Sequence, residues 1–301
     1  MNTMNKPDVS FITINYNGLN DTVELIESIK RYCDGFSYEI IVVDNGSEND
    51  EYIYIGKQFP DITVIRSEKN LGFSGGNNLG LFKSRGRYLF LINNDTLLED
   101  FSLIELLRFM DANENIAAAS PKIKFQTPDN TIQFAGYTEL SRFSIRNKLI
   151  GFLEQDNGQY DLPAQTPYTH GAAMMIRRLV INKVGPMPEI FFLYYEELDW
   201  CTKMTNHGFS LWYVPFATVI HKESRSTGQG SYLRNFYIVR NRLLYSWRNR
   251  NGIERLLSMV YLMAIAYPKG IIQSLFNKRF DIMKSYVKGV WAFFRLKGKL
   301  N

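Results

Sequence analysis

The sequence predicts an α/β fold with a mostly parallel sheet flanked by helices, followed by a helical, basic and amphipathic C-terminal extension. Two observations support the sheet. Short aliphatic runs alternate with helix-like segments over the first hundred residues, and small polar residues follow the runs. This alternation is typical of parallel strands joined by crossover helices. A chain of 301 residues, 45% of them hydrophobic, is long enough to bury a large core.

The individual elements follow from residue type and spacing. Aliphatic runs indicate strands, and apolar residues three and four positions apart, as in Leu25, Ile26 and Ile29, indicate a helix. The predicted strands cover 9–14, 40–43, 62–65 and 88–92, and the predicted helices cover 21–32 and a stretch that ends at Ser84. Residues 115–168 are less regular, and we expect strands and loops inserted into the sheet or lying beside it.

The strand that ends at Ile92 is followed by the polar sequence Asn93-Asn94-Asp95. Ligands of open α/β sheets bind outside the carboxyl ends of the strands, so these side chains are expected at the functional edge. The carboxylate of Asp95 can hold a hard divalent cation, which can in turn hold a diphosphate. An ordinary polar turn after a strand is the alternative interpretation.

Two further clusters follow earlier strands. Asp44 can accept hydrogen bonds from a nucleobase edge or a ribose hydroxyl, although Asp-Asn-Gly-Ser is also strong turn chemistry. Gly72, Gly75 and Gly76 allow backbone N–H groups to approach an anion closely. Neither G-x-G-x-x-G nor G-x-x-x-x-G-K-[ST] spacing occurs, which disfavours a dinucleotide or P-loop site.

A second acidic cluster follows a run of bulky residues. Glu196 and Glu197 come directly after Phe191-Phe-Leu-Tyr-Tyr195, and a helix is predicted to begin near Glu196. The first turn of a helix favours ionised carboxylates, and the aromatic run could stack on a sugar face. An acidic first turn on a surface helix is the alternative. Gly171 and Ala172, which open a further predicted strand, indicate either a place where the backbone passes close to another group or a close-packed core contact.

His221 follows a predicted strand pair over 209–220 and precedes a polar loop over 222–230. A histidine at a strand end can complete a metal site or bind a phosphate, and an ordinary hydrogen-bonded histidine is the alternative. Only the family resemblance described below assigns His221 a role. His207 lies in Asn-His-Gly, a predicted helix C-terminus, and is expected to be structural.

The charge of the chain is unevenly distributed. The net charge is +5, but residues 222–301 contain 16 basic and 3 acidic side chains, whereas residues 1–221 contain 19 and 27. A basic segment favours an anionic partner, either membrane lipid or nucleic acid. Its aromatic residues and scarcity of Gly and Ser favour helices at a lipid surface.

The C-terminal extension is predicted to be helical from Tyr232. The apolar stretch 256–276 contains Pro268 and Lys269, which leave runs that are expected to be too short to cross a bilayer. Residues 279–299 have the composition of a helix lying in a membrane interface, although a bundle packed on the body of the protein is an alternative. We therefore predict a catalytic domain over 1–230 and a membrane-interfacial extension over 231–301.

The two cysteines, Cys33 and Cys201, lie far apart without a C-x-x-C pair, which argues against a disulfide framework or a structural zinc site. A reducing cytosol is expected. The N-terminal residues are polar and lead straight into a strand, so no signal peptide is expected.

As a set, these motifs resemble those of inverting family 2 glycosyltransferases with the GT-A fold, nearest to the bacterial rhamnosyltransferase-like branch. The resemblance covers roughly residues 8–245 and is carried by Thr13–Asn17, Val42–Ser47, Asn70–Asn78, Asn93–Asp95, Gly171–Arg177, Tyr195–Asp199 and His221. It implies a nucleotide-diphosphate sugar donor, a divalent metal (Mg²⁺ or Mn²⁺), and a hydroxyl of a glycan or lipid-linked glycan as acceptor.

The resemblance also implies roles for single residues. Glu197 matches the catalytic base, and Glu196 stays an alternative because the family usually has Glu-Asp where this chain has Glu196-Glu197. Asp95 would bind the metal together with His221, and Asn93 stands where the D-x-D motif has its first acid. The residues implied to bind the donor are Thr13, Asn15, Asn17, Asp44, Asn70, Gly72, Asn77, Asn94 and Arg240, with the 222–230 loop closing over it.

The sequence therefore predicts an inverting glycosyltransferase of surface polysaccharide synthesis, cytoplasmic and peripheral on the inner face of the cell membrane. dTDP-rhamnose is the first choice of donor and a UDP-hexose the second. A sugar nucleotidyltransferase is a less favoured enzyme. A non-catalytic module whose basic tail binds nucleic acid is the rival outside enzymes, and no nucleic-acid partner is predicted.

Overall fold

The computed structural model describes residues 6–222 and 231–297. A mixed sheet runs through the described chain in the strand order β3-β2-β1-β4-β9-β6-β10-β5, with β7 on β6 and β8 on β10. The strands are β1 (Val9–Asn15), β2 (Tyr38–Asp44), β3 (Thr63–Arg66), β4 (Tyr88–Ile92), β5 (Thr96–Leu97), β6 (Ile116–Phe125), β7 (Thr131–Phe134), β8 (Ala164–Gln165), β9 (Ala173–Arg177) and β10 (Ser210–His221). β1 to β4 are parallel neighbours, and β9 enters antiparallel between β4 and β6.

Helices cover both faces of this sheet. They are α1 (Leu19–Tyr32), α2 (Glu51–Gln58), α3 (Gly72–Lys83), α4 (Leu103–Asp111), α5 (Arg178–Val184), α6 (Glu196–Asn206), α7 (Tyr232–Asn249), α8 (Gly252–Val260), α9 (Tyr267–Phe276) and α10 (Phe280–Lys297). A short 3-10 helix covers Glu189–Phe191, and a π-helical segment covers Tyr261–Ala266. The predicted α/β architecture with C-terminal helices is therefore confirmed.

The core consists of two apolar layers, one on each face of the sheet. Successive residues of a strand point to opposite faces, so Phe11 joins the layer under α1 and α4 whereas Ile12 joins the other. Strands buried on both faces need apolar residues at nearly every position, which explains the unbroken run from Tyr88 to Ile92.

The predicted strand pair over 209–220 is wrong. This stretch is part of the single strand β10, which is parallel to β6 on either side of an irregularity between Val214 and Thr218. Pro215 lies at that irregularity. Proline has no N–H for the ladder, so a bulge accommodates it without ending the strand.

The expected break at Pro268 is also wrong. α8, the π-helical segment and α9 form one continuous helix, Gly252–Phe276, of 25 residues. Pro268 lies in the first turn of α9, directly after the π-helical turns, where the change in hydrogen-bond spacing accommodates its missing N–H. By length and composition this helix is apolar enough to cross a membrane. Helices that lie on a protein or lipid surface can have the same properties.

The C-terminal helices share a core with the sheet. Val239 and Leu243 of α7 and Phe293 of α10 lie in the same apolar layer as Leu89 and Leu91 of β4. The expected domain boundary at 230 adjoins residues 223–230, which lie outside the described chain, and the division into two domains stays a prediction.

Candidate active site

Thr13 and Asp44 are buried near the carboxyl ends of the adjacent parallel strands β1 and β2, and we call the space beside them the Asp44 pocket. The Asp44 side chain is fully buried, and its Oδ1 accepts from Arg66 Nη1 at 2.5 Å and from the Ser47 backbone N at 2.9 Å. Asp44 Oδ2 and Thr13 Oγ1 are buried and have no hydrogen-bond partner in the described chain. Leaving such atoms unpaired is costly, so the pocket favours a ligand that offers a hydrogen-bond donor to Asp44.

The side chains of Asn15 and Asn17 hydrogen-bond to other residues of the protein. Asn15 Nδ2 donates to Glu51 Oε2 at 2.7 Å, and Asn15 Oδ1 accepts from Thr22 Oγ1 at 2.8 Å. Asn17 has a left-handed φ of 53°, and its Oδ1 accepts from the Glu48 backbone N at 2.8 Å. These contacts fix the loop after β1 next to Asp44.

The glycine-rich segment contains the start of α3. Asn70 Oδ1 accepts from the Gly72 backbone N at 2.8 Å, and Asn77 Nδ2 donates to Phe73 O at 3.1 Å. Gly72 has a φ of +73°, and a Cβ there would lie 2.2 Å from Phe192 O. The close approach at Gly72 is therefore to the protein's own backbone, in the turn that precedes Glu196.

Asp95 and His221 form a buried pair at the end of β4. The His221 Nε2 lies 3.1 Å from Asp95 Oδ1, and the Nδ1 lies 2.7 Å from Gln133 Oε1. If Nδ1–H donates to Gln133, Nε2 presents a lone pair towards Asp95, which is the arrangement of a histidine metal ligand with its outer hydrogen bond. Asn94 Nδ2 donates to Thr22 Oγ1 at 3.1 Å and so connects this turn to α1.

These two side chains fit a divalent cation that takes its other ligands from elsewhere. A carboxylate and an imidazole are suitable donors for Mn²⁺, and a carboxylate for Mg²⁺. No group of three His, Cys, Asp or Glu side chains with metal-binding geometry occurs in residues 6–222 and 231–297. The remaining ligands of such an ion would be phosphate oxygens and water, as is usual for Mg²⁺ at nucleotide sites.

Glu196 and Glu197 lie in the first turn of α6, as predicted. Burial raises the pKa of both carboxyl groups. Each has one carboxylate oxygen, Oε2, that is buried and without a partner in the described chain. Burial raises the pKa of Glu197 to about 7. Burial together with the Glu197 charge raises the pKa of Glu196 well above its usual value. A carboxyl whose pKa is about 7 can accept a proton near neutral pH.

The backbone segment Gly171–Ala172 lies between Glu197 and Asn93, which precedes Asp95 by two residues. The Asn93 backbone N donates to Ala172 O at 2.9 Å. The next residue along, Gly171, lies against Glu197, whose Cγ is 4.0 Å from where a Cβ would stand. The close approach predicted at Gly171 is wrong, because the atoms nearest to a Cβ there, those of the Phe73 ring and Glu197 Cγ, lie at ordinary packing distances of 3.6 to 4.0 Å. The segment contacts Glu197 through Gly171 and the backbone of Asn93 through Ala172 O.

His170 lies in this segment as well. Its Nδ1 accepts from the Ala172 backbone N at 3.1 Å, so the neutral ring carries its proton on Nε2. Burial and the neighbouring His221 lower the pKa of His170 to about 3. Its ring lies parallel to that of Tyr137 at 6.0 Å, and the Glu197 charge adds to burial in raising the pKa of Tyr137. His170 and Tyr137 thus form an uncharged wall beside Glu197.

The guanidinium of Arg240 hydrogen-bonds to backbone carbonyls a few residues before Glu196. Its Nη2 donates to Ile190 O at 3.2 Å and to Phe191 O, and burial lowers its pKa to about 10. The loop that was expected to close over the donor falls on 223–230, outside the described residues. Lys222, which precedes it, donates to Asp21 at 2.9 Å.

Comparison with known proteins decides the family. Residues 10–185 match the model of glycosyl transferase family 2. The chain belongs to this family. It is 27% identical over 253 residues to the low-salt glycan biosynthesis hexosyltransferase Agl10 of Haloferax volcanii, covering 79% of this chain and 75% of the relative. It is 22% identical over 262 residues to the dTDP-rhamnosyl transferase RfbF of Shigella flexneri, covering 82% and 83%.

Solved structures show the same fold for this family 2 glycosyltransferase. GalNAc-T7 with UDP, GalNAc and Mn²⁺ superposes with a TM-score of 0.63 at 17% identity, over 88% of this chain and 58% of that chain. The Pyrobaculum calidifontis mannosyltransferase PcManGT with GDP-Man and Mn²⁺ superposes with a TM-score of 0.60 at 14% identity, over 97% and 88%. The predictions of a GT-A fold and of a family 2 glycosyltransferase are confirmed.

Sequence reasoning missed several residues of this glycosyltransferase site. Gln133 comes from the irregular stretch between 115 and 168, and Arg66 ends β3 without a motif around it. His170 precedes Gly171 directly, but the sequence around it contains no motif that predicts a role for its side chain. These residues reach the site through β-sheet pairing and long-range contacts.

Proposed function

We propose that this protein is an inverting glycosyltransferase that moves a sugar from a nucleotide diphosphate to a hydroxyl of a glycan acceptor. One observation carries the proposal. Glu197, with its unpartnered oxygen and its pKa of about 7, lies against Gly171, and the neighbouring Ala172 O accepts from the backbone N of Asn93, two residues before Asp95 of the Asp95–His221 pair. A donor sugar that spans this segment would have a base on one face and its phosphates on the other.

The reaction follows from that placement. The acceptor hydroxyl gives its proton to a Glu197 oxygen, which must approach to within about 3 Å. The acceptor oxygen bonds to the anomeric carbon while the bond from that carbon to the phosphate oxygen breaks. Because attack and departure occur on opposite faces in one step, the anomeric configuration inverts. His170 and Tyr137 stay uncharged near neutral pH, because burial lowers the pKa of His170 and raises that of Tyr137.

Asp95 and His221 are the residues that would hold a divalent cation. Such a cation neutralises the charge that develops on the leaving diphosphate. The Mn²⁺ in the GalNAc-T7 and PcManGT structures supports Mn²⁺ or Mg²⁺ in this protein. Gln133 holds the His221 ring by its Nδ1 and so directs Nε2 towards Asp95.

Asp44 is the proposed reader of the nucleobase. Its buried, unpartnered Oδ2 can accept from the ring N–H of thymine or uracil, while Arg66 holds Oδ1. Thr13 offers a second unpartnered oxygen in the same pocket. The similarity to RfbF supports dTDP-rhamnose as the first donor to test, and a UDP-hexose is the second.

The C-terminal helices are proposed to place the enzyme on the cytoplasmic face of the cell membrane, where a lipid-linked glycan is the acceptor. α8 to α10 expose large apolar side chains: Ile253, Leu256, Leu257, Val260, Ile265, Ile272, Leu275, Phe276, Phe280, Val287, Trp291 and Phe294. Lysines and arginines are interleaved with them, as in helices that lie in an anionic lipid interface.

The function is tested by incubating the enzyme with Mn²⁺, a lipid-linked glycan and a panel of nucleotide sugars. We expect release of nucleoside diphosphate and a product of inverted anomeric configuration by NMR. Release of pyrophosphate would instead identify a nucleotidyltransferase, and retained configuration would contradict the one-step displacement. A thermal-shift series with the same panel identifies the donor that binds.

A further inference from the structure

The turn that leads into Glu196 has an unusual backbone. Phe192, Tyr194 and Tyr195 all have positive φ values, of 64°, 67° and 74°. Bulky residues rarely adopt this left-handed conformation because the Cβ crowds the backbone, so it persists only where surrounding contacts impose it. Glu196 and Glu197 follow directly, and the direction of their side chains therefore depends on this turn.

Asn241 of α7 supplies contacts that impose it. The side chain is fully buried, and its Nδ2 lies 3.0 Å from Phe191 O, 2.7 Å from Leu193 O and 2.7 Å from Tyr194 O. One amide group thus serves three carbonyls of the turn. Asn241 Oδ1 accepts from Arg240 Nε at 2.8 Å, which fixes the orientation of the amide.

Arg240 extends the same contact to the start of the turn. Its Nη2 donates to Ile190 O and Phe191 O. Its guanidinium also lies 4.7 Å from the centre of the Tyr237 ring, which in turn stacks on Phe192 at 5.0 Å. Arg240 is therefore buried among partners of its own chain and supports the turn from the side of α7.

The turn also contacts α3. Phe192 O accepts from the Phe73 backbone N at 2.7 Å, and Gly72 leaves the space that this approach needs. The Phe73 ring lies near Gly171, on the same side as Glu197. The turn is thus held between α7 and α3, and α6 begins from it.

We propose that Asn241 and Arg240 are positioning residues, which hold residues 191–195 so that the carboxylate of Glu197 faces the acceptor hydroxyl. This inference rests on the proposed function, because it gives Glu197 the role of base. It makes α7 part of the catalytic apparatus and not only a link to the membrane-facing helices. The described contacts of both side chains are with the protein's own backbone and aromatic rings, so Arg240, which the resemblance predicts to bind the donor, is proposed to act through the turn.

The test replaces Asn241 by Asp, which has nearly the same size but lacks the amide donors. Asn235→Asp is the matched control: it lies on the same helix and donates to Ser285 Oγ at 2.6 Å. A small displacement of a catalytic group can lower kcat about 100-fold. We expect such a fall for Asn241→Asp with the donor KM changed less than about threefold, and a change below about threefold in kcat for the control.

A pH profile separates positioning from a general loss of stability. The groups that face Glu197 are Glu196, Tyr137, Tyr195 and Cys201. When the turn relaxes, water reaches Glu197 and its pKa falls towards the ordinary value. The acid limb of kcat/KM should therefore move to lower pH in Asn241→Asp and stay near pH 7 in Asn235→Asp.

Three results would overturn the inference: an unchanged kcat in a folded Asn241→Asp protein, an equal loss in the control, or a loss confined to donor KM. If Asn241→Asp fails to give a cooperative melt, Arg240→Lys is measured instead, with an expected fall of about tenfold in kcat and the same shift of the acid limb. An unchanged kcat and an unchanged acid limb of the pH profile in Arg240→Lys would overturn the inference. Failure of the proposed function is distinct: the wild-type enzyme would then release no nucleoside diphosphate with any nucleotide sugar of the panel.

Discussion

Replacing Glu197 by Gln should stop sugar transfer and, at alkaline pH, stabilise the fold. The pKa of this carboxyl is about 7, whereas its ordinary value is 4.5, because burial disfavours the ionised form. A tenfold change in proton affinity corresponds to about 1.4 kcal/mol, so ionisation at pH 8 costs the folded state about 3 kcal/mol at most. Partial exposure to solvent screens the charge, and we expect a gain of about 1 to 2 kcal/mol.

The direction with pH follows from proton binding. The folded state binds this proton more tightly than the unfolded chain does, so wild-type stability falls as the pH rises from about 4.5 to about 7. Gln carries no such equilibrium. The difference between variant and wild type should therefore grow between pH 5 and pH 8.

Urea unfolding of both proteins at pH 5 and pH 8 measures the effect. The exposed Glu27→Gln on α1 is the control, and it should leave the free energy of unfolding unchanged at both pH values. In the same proteins, Glu197→Gln should lower kcat by about 10²- to 10⁴-fold with nucleoside-diphosphate affinity nearly intact. A stability difference that is the same at both pH values would refute the reasoning about burial, and retained turnover would refute the role of base.

Three further results are expected. Asp95→Ala should remove the Mn²⁺-dependent part of donor affinity in calorimetry, and an unchanged affinity would count against a metal site there. Asp44→Asn should weaken binding of a pyrimidine nucleoside diphosphate by about 10- to 100-fold, since a charge-assisted hydrogen bond contributes about 1.5 to 3 kcal/mol; equal affinity would mean that the base lies elsewhere. Trp291→Glu should reduce flotation with anionic liposomes, whereas Phe82→Glu, at an exposed position on α3, should not. Equal flotation of the two variants would contradict the proposed lipid surface.

The sheet could be predicted because its strands are buried on both faces. Tyr88–Ile92 is an unbroken apolar run that ends at Asn93, and the strand bounds agree with the prediction. The prediction of secondary structure failed at two prolines, where the local sequence is compatible with more than one backbone structure. Pro215 indicates a break but is accommodated by a bulge within β10, and Pro268 is accommodated by π-helical turns.

The candidate site was predictable only in part. Asp95, His221 and Glu197 could be singled out because, together with the neighbouring motifs, they match the pattern of family 2 glycosyltransferases; each residue alone is equally compatible with an ordinary turn or an acidic helix start. The reason for Gly72 could not be read from its neighbours, since the group that it accommodates, Phe192 O, is more than a hundred residues away. The amide of Asn241 likewise acts on carbonyls about fifty residues earlier, and backbone carbonyls leave no signal in a sequence.

A crystal structure of Glu197→Gln with Mn²⁺ and the donor nucleotide sugar would test the central claim most directly. The account predicts the cation on Asp95 and His221, with the anomeric carbon between that cation and the side chain at position 197. A sugar bound away from the Gly171–Ala172 segment, with the side chain at position 197 in a different cavity, would contradict the proposed arrangement.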